Sequence, residues 1–543
     1  MLQGTVEWPA EFAARYRTTG CWDGSTIYSV LQGAAARWPD KAALVAGDIR
    51  LSYAELQAQA TRLAARLLDT GLRPRDRVLV QLPNIPEFAV LYFALVHIGA
   101  IPVMALRSHR HAEVRHFLKA SGAVAYAIAD RVSGFDFREM AESLRPDAPA
   151  LRQVLVVGDP LPGQRAWVEL LRDSPVDAPV VQVDPTEVGT MLLSGGTTSM
   201  SKLIPRTHQD YVLNARLCGR AAGFDENTVF MAILPLGHNY NLASPGLLAA
   251  LLYGGTVVLA PSTQTDEIFA TVQRERVTHI AAVVPLIATW LASDVERRFD
   301  LRSLRVVQNG GARLAPELRA RLRERFGCTP QEIYGTAEGL INMTRLDDAD
   351  EQLLHSSGAP VCDEDEIRVL DEQDRDVADG ESGELVTRGP YTIRGYYNAA
   401  DKNAEAFTAD GFYRMGDIVR KRGRYVYAEG RRKDFINRGG EKISCEEIEN
   451  LMFAHPKVKT ATLVAMPDAV FGEKACAFVV PHPGESLSLD ELIAFLRSQQ
   501  IASFKLPERL EIVDELPVSP VGKILKRQLR EAIALKLQQE QRP

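Results

Sequence analysis

Residues 88–106 read FAVLYFALVHIGAIPVMAL, a 19-residue stretch that is almost wholly apolar. One helix of that length can cross a bilayer, so its reading separates a membrane protein from a water-soluble one. His97, Gly99 and Pro102 interrupt it. An apolar helix following Asn84-Ile85-Pro86-Glu87, a turn at the glycine and a short strand fit the segment better, as a buried helix-strand unit of a parallel sheet. No membrane span is expected.

The flanks repeat this grammar. Residues 53–68 have a helical period, residues 77–81, 124–129 and 255–260 are apolar and of strand length, and residues 88–97 are helical. Such alternation is what βαβ units produce, so a largely parallel sheet with helices on its faces is expected from residue 26 to about 260. A second run alternates strands at 280–284, 305–308 and 332–334 with helices such as 316–326. Beyond about residue 355 the texture becomes short strands, at 366–369, 383–387 and 411–413, separated by turns such as Asp379-Gly380. Past Gly430, helices at 444–453, 488–498 and 524–539 and strands at 461–466 and 475–480 outline a separate α+β unit. The expected fold is α/β: a large N-terminal domain (residues 1–432) of parallel βαβ layers plus a small β unit, then a small α+β C-terminal domain (433–543).

The composition agrees. Of 543 residues, 46% are hydrophobic and 24% charged, which excludes a mainly disordered, collagen-like or coiled-coil chain. Lys and Arg total 63 against 70 Asp and Glu, a net charge of -7 that argues against a global grip on nucleic acid or anionic lipid. Cys21, Cys218, Cys328, Cys362, Cys445 and Cys476 form no Cys-x-x-Cys pair and read as reduced packing thiols. The start, MLQGTVEWPAEFAARYR, lacks the basic and apolar regions of a secretory signal, so a cytoplasmic location is expected. His109, His111 and His116 share no helical face and have no completing cysteine or carboxylate, so they are read as solvated or capping rather than metal-binding.

The chemistry concentrates in residues 192–207, LLSGGTTSMSKLIPRT, where small and hydroxylated residues run from Ser194 to Ser201 and end on Lys202. Small side chains let the backbone approach a phosphate, and hydroxyls and N–H groups supply donors to its oxygens. It is not a Walker A loop, because Met-Ser-Lys-Leu stands where Gly-Lys-Ser/Thr is needed. Four further segments follow in order: Tyr334-Gly335-Thr336-Ala337-Glu338, Tyr413-Arg414-Met415-Gly416-Asp417, residues 430–442 (GRRKDFINRGGEK) and residues 517–523 (PVSPVGK).

With these five segments the chain resembles, over nearly its whole length, the adenylate-forming enzymes, which include acyl-CoA synthetases, luciferases and nonribosomal peptide adenylation domains. The resemblance implies ATP and Mg2+ as cofactors and an active site between a large domain and a small mobile one. A carboxylate is already ionised at pH 7 and needs no general base to attack the α-phosphate of ATP. It needs charge neutralisation and in-line placement. Lys523 would bridge substrate carboxylate and phosphate, Glu338 would hold Mg2+, and Asp417 would accept hydrogen bonds from the ribose. Ser194, Gly195, Gly196, Thr197, Thr198 and Lys202 would hold the leaving pyrophosphate. The resemblance further implies Gly311 and Ile333 in the nucleotide pocket, Arg431 near ribose and phosphate, and Lys433 at the hinge between domains. Ser199 and Met415 depart from the pattern, standing where Gly and a hydroxylated residue are usual, so altered rates are expected.

Residues 234–246, LPLGHNYNLASPG, signal the substrate. Amino-acid-activating relatives carry an Asp here for the substrate ammonium, whereas this chain has Asn239. A neutral amide cannot neutralise a buried ammonium but can serve a phenolic hydroxyl. The His238-Asn239-Tyr240 triplet, the run LIPRTH after the phosphate loop and NRGGEK at 437–442 resemble the aryl-acid activators of catechol siderophore pathways. That likeness implies an aryl pocket lined by His238, Asn239, Tyr240, Ser244, Gly311, Ala337 and Ile341. It implies 2,3-dihydroxybenzoate as the acid, with Ser244 as donor and acceptor to its 3-hydroxyl, and transfer to the phosphopantetheine thiol of an aryl carrier protein on another chain. Salicylate activation, a benzoate-type aryl-CoA ligase and a non-catalytic nucleotide-binding scaffold remain open alternatives.

Overall fold

The structure is a computed structural model, and it describes residues 2–171, 181–194, 201–431, 434–438, 441–468, 470–499, 501–519 and 523–540. The apolar stretch near residue 90 folds as the sequence suggests. Its helix, Pro86–His97, opens on proline with Glu87 in the first turn and ends on His97. Every residue from Phe88 to Val96 is buried. His97 stacks on Tyr28 with ring centroids 3.8 Å apart, which accounts for a histidine in an apolar run. Among the described residues, no helix is long and apolar enough to cross a membrane.

That helix lies in a layer between two sheets. One is seven-stranded, centred on Arg77–Gln81, and parallel apart from its edge strand Leu203–Thr207. The other is nine-stranded, with a parallel centre running from Ala42–Ala46 through Val229–Ala232 and Val306–Gly310 to Thr329–Thr336, and antiparallel strands at both ends. Successive strand residues point to opposite faces. Val78 and Val80 thus enter the central core and Leu79 an outer one, while Phe230 and Ala232 face inward and Met231 outward. A parallel strand buried on both faces has to be apolar throughout, which is why these segments carry no polar alternation.

After the nine-stranded sheet comes a four-stranded antiparallel sheet of Glu366–Leu370, Ser382–Arg388, Tyr413–Arg422 and Tyr425–Arg431. The small C-terminal domain follows, with a five-stranded sheet and cores of its own around Ile436, Leu463 and Val479 and around Val464 and Ile533. Its last helix, Lys526–Glu540, is tied to the rest of the domain by Lys526–Glu449 at 2.8 Å and Arg530–Asp434 at 2.6 Å. The domain meets the larger one where Ser444 Oγ donates to the Glu429 carbonyl at 2.5 Å and where Arg313 comes within 3.9 Å of Glu446.

Candidate active site

In parallel sheets, ligand sites form beyond the carboxyl ends of the strands. Here Val306–Gly310 ends beside Ile333, which pairs with Gly310 in the neighbouring strand. Gly310 has no room for a side chain: a Cβ there would lie 2.8 Å from the Tyr240 ring. Gly311 has φ +86, a backbone region open to glycine and costly for other residues. The strand ends therefore offer bare backbone, with Ile333 buried alongside.

Charged motif residues converge on this edge. Asp417 is buried on Tyr413–Arg422; its Oδ2 accepts from the Tyr334 hydroxyl at 2.8 Å and its Oδ1 lies 3.2 Å from Arg431 Nε. The Asp417 charge holds the Arg431 guanidinium above its ordinary value. Glu338 is buried in the turn after Thr329–Thr336, and its Oε1 accepts from the Tyr396 hydroxyl at 2.8 Å. The Lys202 ammonium stands 4.1 Å from the centroid of the same Tyr396 ring. Ser194 and Lys202 close the neck of the Gly/Ser-rich loop: Ser194 N–H donates to the Lys202 carbonyl at 3.0 Å, and Lys202 N–H to Ser194 Oγ at 2.9 Å. Gly195, Gly196, Thr197, Thr198 and Ser199 lie outside the described residues, as does Lys433.

Lys523 reaches the same place from the C-terminal domain. Ser519 N–H donates to its carbonyl at 2.7 Å and its own N–H donates to Ser519 Oγ at 3.0 Å, which ties the Lys523 backbone to Ser519. Burial, and after it the Arg431 charge, push the ammonium below the usual lysine value, while Asp417 and Glu338 pull it back. An ammonium depressed in this way gains from an anion beside it. His238 is pushed down to about 4 by burial and by the Lys523 charge, so its ring is neutral at physiological pH.

The second half of the site is a buried polar floor. His238 caps the short helix Asn239–Ala243, its Nδ1 accepting from Tyr240 N–H at 3.3 Å. Asn239 Oδ1 accepts from the Tyr211 hydroxyl at 2.9 Å, and its Nδ2 donates to Ser244 Oγ at 3.2 Å. Asn214 Nδ2 donates to the same oxygen at 2.9 Å and to the Ala243 carbonyl at 2.8 Å. Two amides donate to the Ser244 oxygen, and its hydroxyl is also hydrogen-bonded to the Cys218 thiol, so the Ser244 side chain is held on all sides by the buried floor. Ile341 packs on Gly335, where a Cβ would meet its Cδ1 at 2.7 Å, and the Ala337 carbonyl accepts from Arg206 Nη1 at 3.0 Å. Arg206 is itself wholly buried and paired with Asp210 at 2.8 Å, so this contact fixes the Ala337 backbone from inside the core.

Sequence reasoning did not find Tyr211, Asn214, Tyr334, Tyr396 or Arg206 as partners of the site. Tyr334 and Arg206 lie within quoted motifs, but the others carry no local signal. Met415 is buried in the central core, so packing stands where the motif usually has a hydroxyl. The histidines at 109 and 116 have local roles, with Leu106 N–H and the Ser201 carbonyl at 3.0 and 2.9 Å. Among the described residues no group of three or more His, Cys, Asp or Glu is arranged around a metal. A single carboxylate is nevertheless a fitting magnesium ligand where phosphate oxygens and water complete the shell, and Glu338 has one oxygen clear of the Tyr396 hydrogen bond.

Known proteins share this arrangement. The AMP-binding enzyme family matches residues 31–397, and the AMP-binding enzyme C-terminal domain matches residues 447–523. The chain is 47% identical over 541 residues to the 2,3-dihydroxybenzoate-AMP ligase of Bacillus subtilis, covering 99% of both proteins. It is 44% identical to the salicyl-AMP ligase / salicyl-S-ArCP synthetase of Mycobacterium tuberculosis, covering 97% of this chain and 94% of that one. The apo structure of MbtA from Mycobacterium smegmatis matches with a TM-score of 0.76 at 42% identity, over 97% and 98% of the two chains. A large domain and a small one, each matched by its own family, make this chain a member of the AMP-binding enzymes.

Proposed function

We propose that the protein activates an aryl acid, 2,3-dihydroxybenzoate, with ATP and passes the aryl group to the phosphopantetheine thiol of a carrier protein on another chain, as a step in making a catechol siderophore. In the first step a carboxylate oxygen attacks the α-phosphorus, the bond to the β-phosphate breaks, and pyrophosphate leaves. In the second the thiol sulfur attacks the acyl carbon and AMP departs with its oxygen.

The reading rests above all on Lys523, a depressed ammonium at the edge between Gly311, His238, Asp417 and Glu338. There it neutralises the meeting of two anions, the substrate carboxylate and the α-phosphate, where charge stabilisation has most effect. Asp417 receives the ribose hydroxyls while Tyr334 and Arg431 hold it in place. Lys202 and the loop whose neck it closes take the pyrophosphate. Magnesium held by Glu338 would offset phosphate charge. Asn239, a neutral amide, suits a phenol rather than an ammonium, and the neutral His238 adds no charge against Lys523. Residues 1–432 and 433–543 act as two bodies hinged at Lys433, so that one small domain serves both steps in turn.

Salicylate is the second reading, since the Mycobacterium tuberculosis relative is named for it. Aryl-acid-dependent exchange of labelled pyrophosphate into ATP across a panel of benzoates tests the proposal. Exchange with 2,3-dihydroxybenzoate above all others supports it, and no exchange with any benzoate overturns it. Offering CoA in place of the carrier protein separates the carrier-dependent enzyme from an aryl-CoA ligase.

A further inference from the structure

All six cysteines are free thiols, and two of them, far apart in sequence, meet. Cys21 lies just beyond the helix Ala10–Thr18 and is partly exposed; Cys362 follows the strand Ala359–Pro360 and is buried. Their sulfurs are 3.9 Å apart. Thr19 Oγ1 donates to Cys21 Sγ at 3.5 Å. The hydrogen bond with Cys362, then the one from Thr19, and the Arg216 charge lower the Cys21 thiol to about 6, against burial and Glu364. Cys362 is raised by the same contact, by burial and by Asp365. The facing groups are thus Arg216 from the helix His208–Ala221 and Glu364 and Asp365 from the segment after Cys362, with Asp365 pushed up to about 8 by burial. Two free thiols in contact, one partly exposed and one buried, form the arrangement in which one sulfur is oxidised and the other resolves it.

Both cysteines are coupled to the walls of the candidate acid pocket. The Cys21 carbonyl accepts from Arg216 Nη2 at 3.0 Å, on the helix that also carries Asn214. On the other side, Val361 N–H donates to the Ile341 carbonyl at 3.0 Å. The Tyr391 hydroxyl accepts from Ile341 N–H at 3.3 Å and donates to Asp365 at 2.5 Å.

We propose that Cys21 and Cys362 form a peroxide-sensitive modification site whose disulfide straps the N-terminal segment to the strand carrying Ile341 and so retunes the pocket. The effect on the pocket rests on the function proposed above; the modification does not. The Cys21 thiolate attacks one peroxide oxygen, the O–O bond breaks, and a sulfenic acid and hydroxide result. Cys362 then gives up its proton and attacks the Cys21 sulfur, the S–O bond breaks, and the oxygen leaves as water. Overall two thiols are oxidised to a disulfide and one hydrogen peroxide is reduced to two waters. A disulfide holds its sulfurs about 2 Å apart, so closure from 3.9 Å draws on Cys362 and, one residue away, on the hydrogen bond to Ile341.

The test treats the full chain with equimolar hydrogen peroxide at neutral pH, digests it without reductant and maps joined peptides by mass spectrometry. The expected product joins Cys21 to Cys362, consumes two thiols per chain, reverts with dithiothreitol, and is absent from Cys21→Ser and Cys362→Ser. In the oxidised protein the KM for the aryl acid should change by about 10-fold, within the cost of an ångström-scale displacement at a site. Cys21→Ser should keep the reduced protein's KM under peroxide. Oxidation of single thiols, or pairing elsewhere, overturns the site. A joined pair with unchanged KM overturns the strap. If the reduced protein activates no benzoate, the proposed function fails and the joined peptide still decides the site.

Discussion

The Cε atom of Lys523 lies 3.6 Å from the point where a side chain on Gly311 would begin. Two residues more than 200 positions apart, one in each domain, thus face each other across the candidate site. That separation would be ordinary van der Waals contact for a methyl group, so Gly311→Ala should leave room for the lysine. Its cost lies in the backbone at φ +86, about 1–2 kcal/mol for a side chain in the left-handed region. The urea midpoint should fall accordingly; an unchanged midpoint would mean that the loop relaxes out of this conformation.

Ser244 should discriminate between acids. The 3-hydroxyl of 2,3-dihydroxybenzoate can join the hydrogen bonds around Ser244 Oγ, which salicylate, lacking that hydroxyl, cannot. The unmet hydrogen bond costs about 1–3 kcal/mol, or roughly 5- to 150-fold in kcat/KM. Ser244→Ala should bring the ratio for the two acids close to one. Equal kcat/KM values in the unaltered protein, or a preference for salicylate, would show that Ser244 does not read the ring.

Glu446 should make stability depend on pH. Burial raises its carboxyl from 4.5 to about 7, with Arg313 opposing. The folded protein holds this proton more tightly than the unfolded chain, so the contribution is full below about 4.5 and lost as pH rises through about 7. Glu446→Gln stays neutral throughout. Its stability relative to the parent should therefore rise over that window, by about 1–3 kcal/mol at pH 8, and denaturant titrations at pH 4.5 and 8 measure it. A difference that does not change with pH would mean that Arg313 holds the carboxylate ionised.

Met415→Thr should restore the usual hydroxyl of its motif and still be harmful. The side chain is 6% exposed and packs in the central core, so the shorter polar residue leaves both a void and a buried hydroxyl. A loss of about 2–4 kcal/mol is expected, read by thermal or denaturant unfolding. A neutral or stabilising result would mean that the hydroxyl finds a partner there.

Much of the fold was legible because parallel strands and their helices write themselves in apolar runs. The strand Arg77–Gln81 and the helix Pro316–Phe326 match their sequence readings residue for residue, the helix opening on proline and closing at Gly327. The ribbon of Val458–Asp468 and Gly472–Pro481 runs well beyond the apolar segments read at 461–466 and 475–480. Its ends carry Asp468, Glu473 and Lys474, paired through backbone hydrogen bonds that leave no hydrophobic signature. In the site, charged residues were legible as motifs. Tyr396 was not, because its partner Glu338 is 58 residues away, and Asn214 meets Ser244 across 30. Such pairs exist only once the two large sheets and the layer between them are assembled.

The most direct test of the account separates the two half-reactions in Lys523→Ala. Lys523 is assigned to the meeting of carboxylate and phosphate, so pyrophosphate exchange driven by the aryl acid should fall by about 100-fold or more. Transfer of the aryl group from presupplied aryl-adenylate to the carrier thiol should stay within about 2-fold of the unaltered enzyme, since that interaction belongs to the first transition state alone. Equal losses in both half-reactions, or exchange that survives without the lysine, would contradict the account.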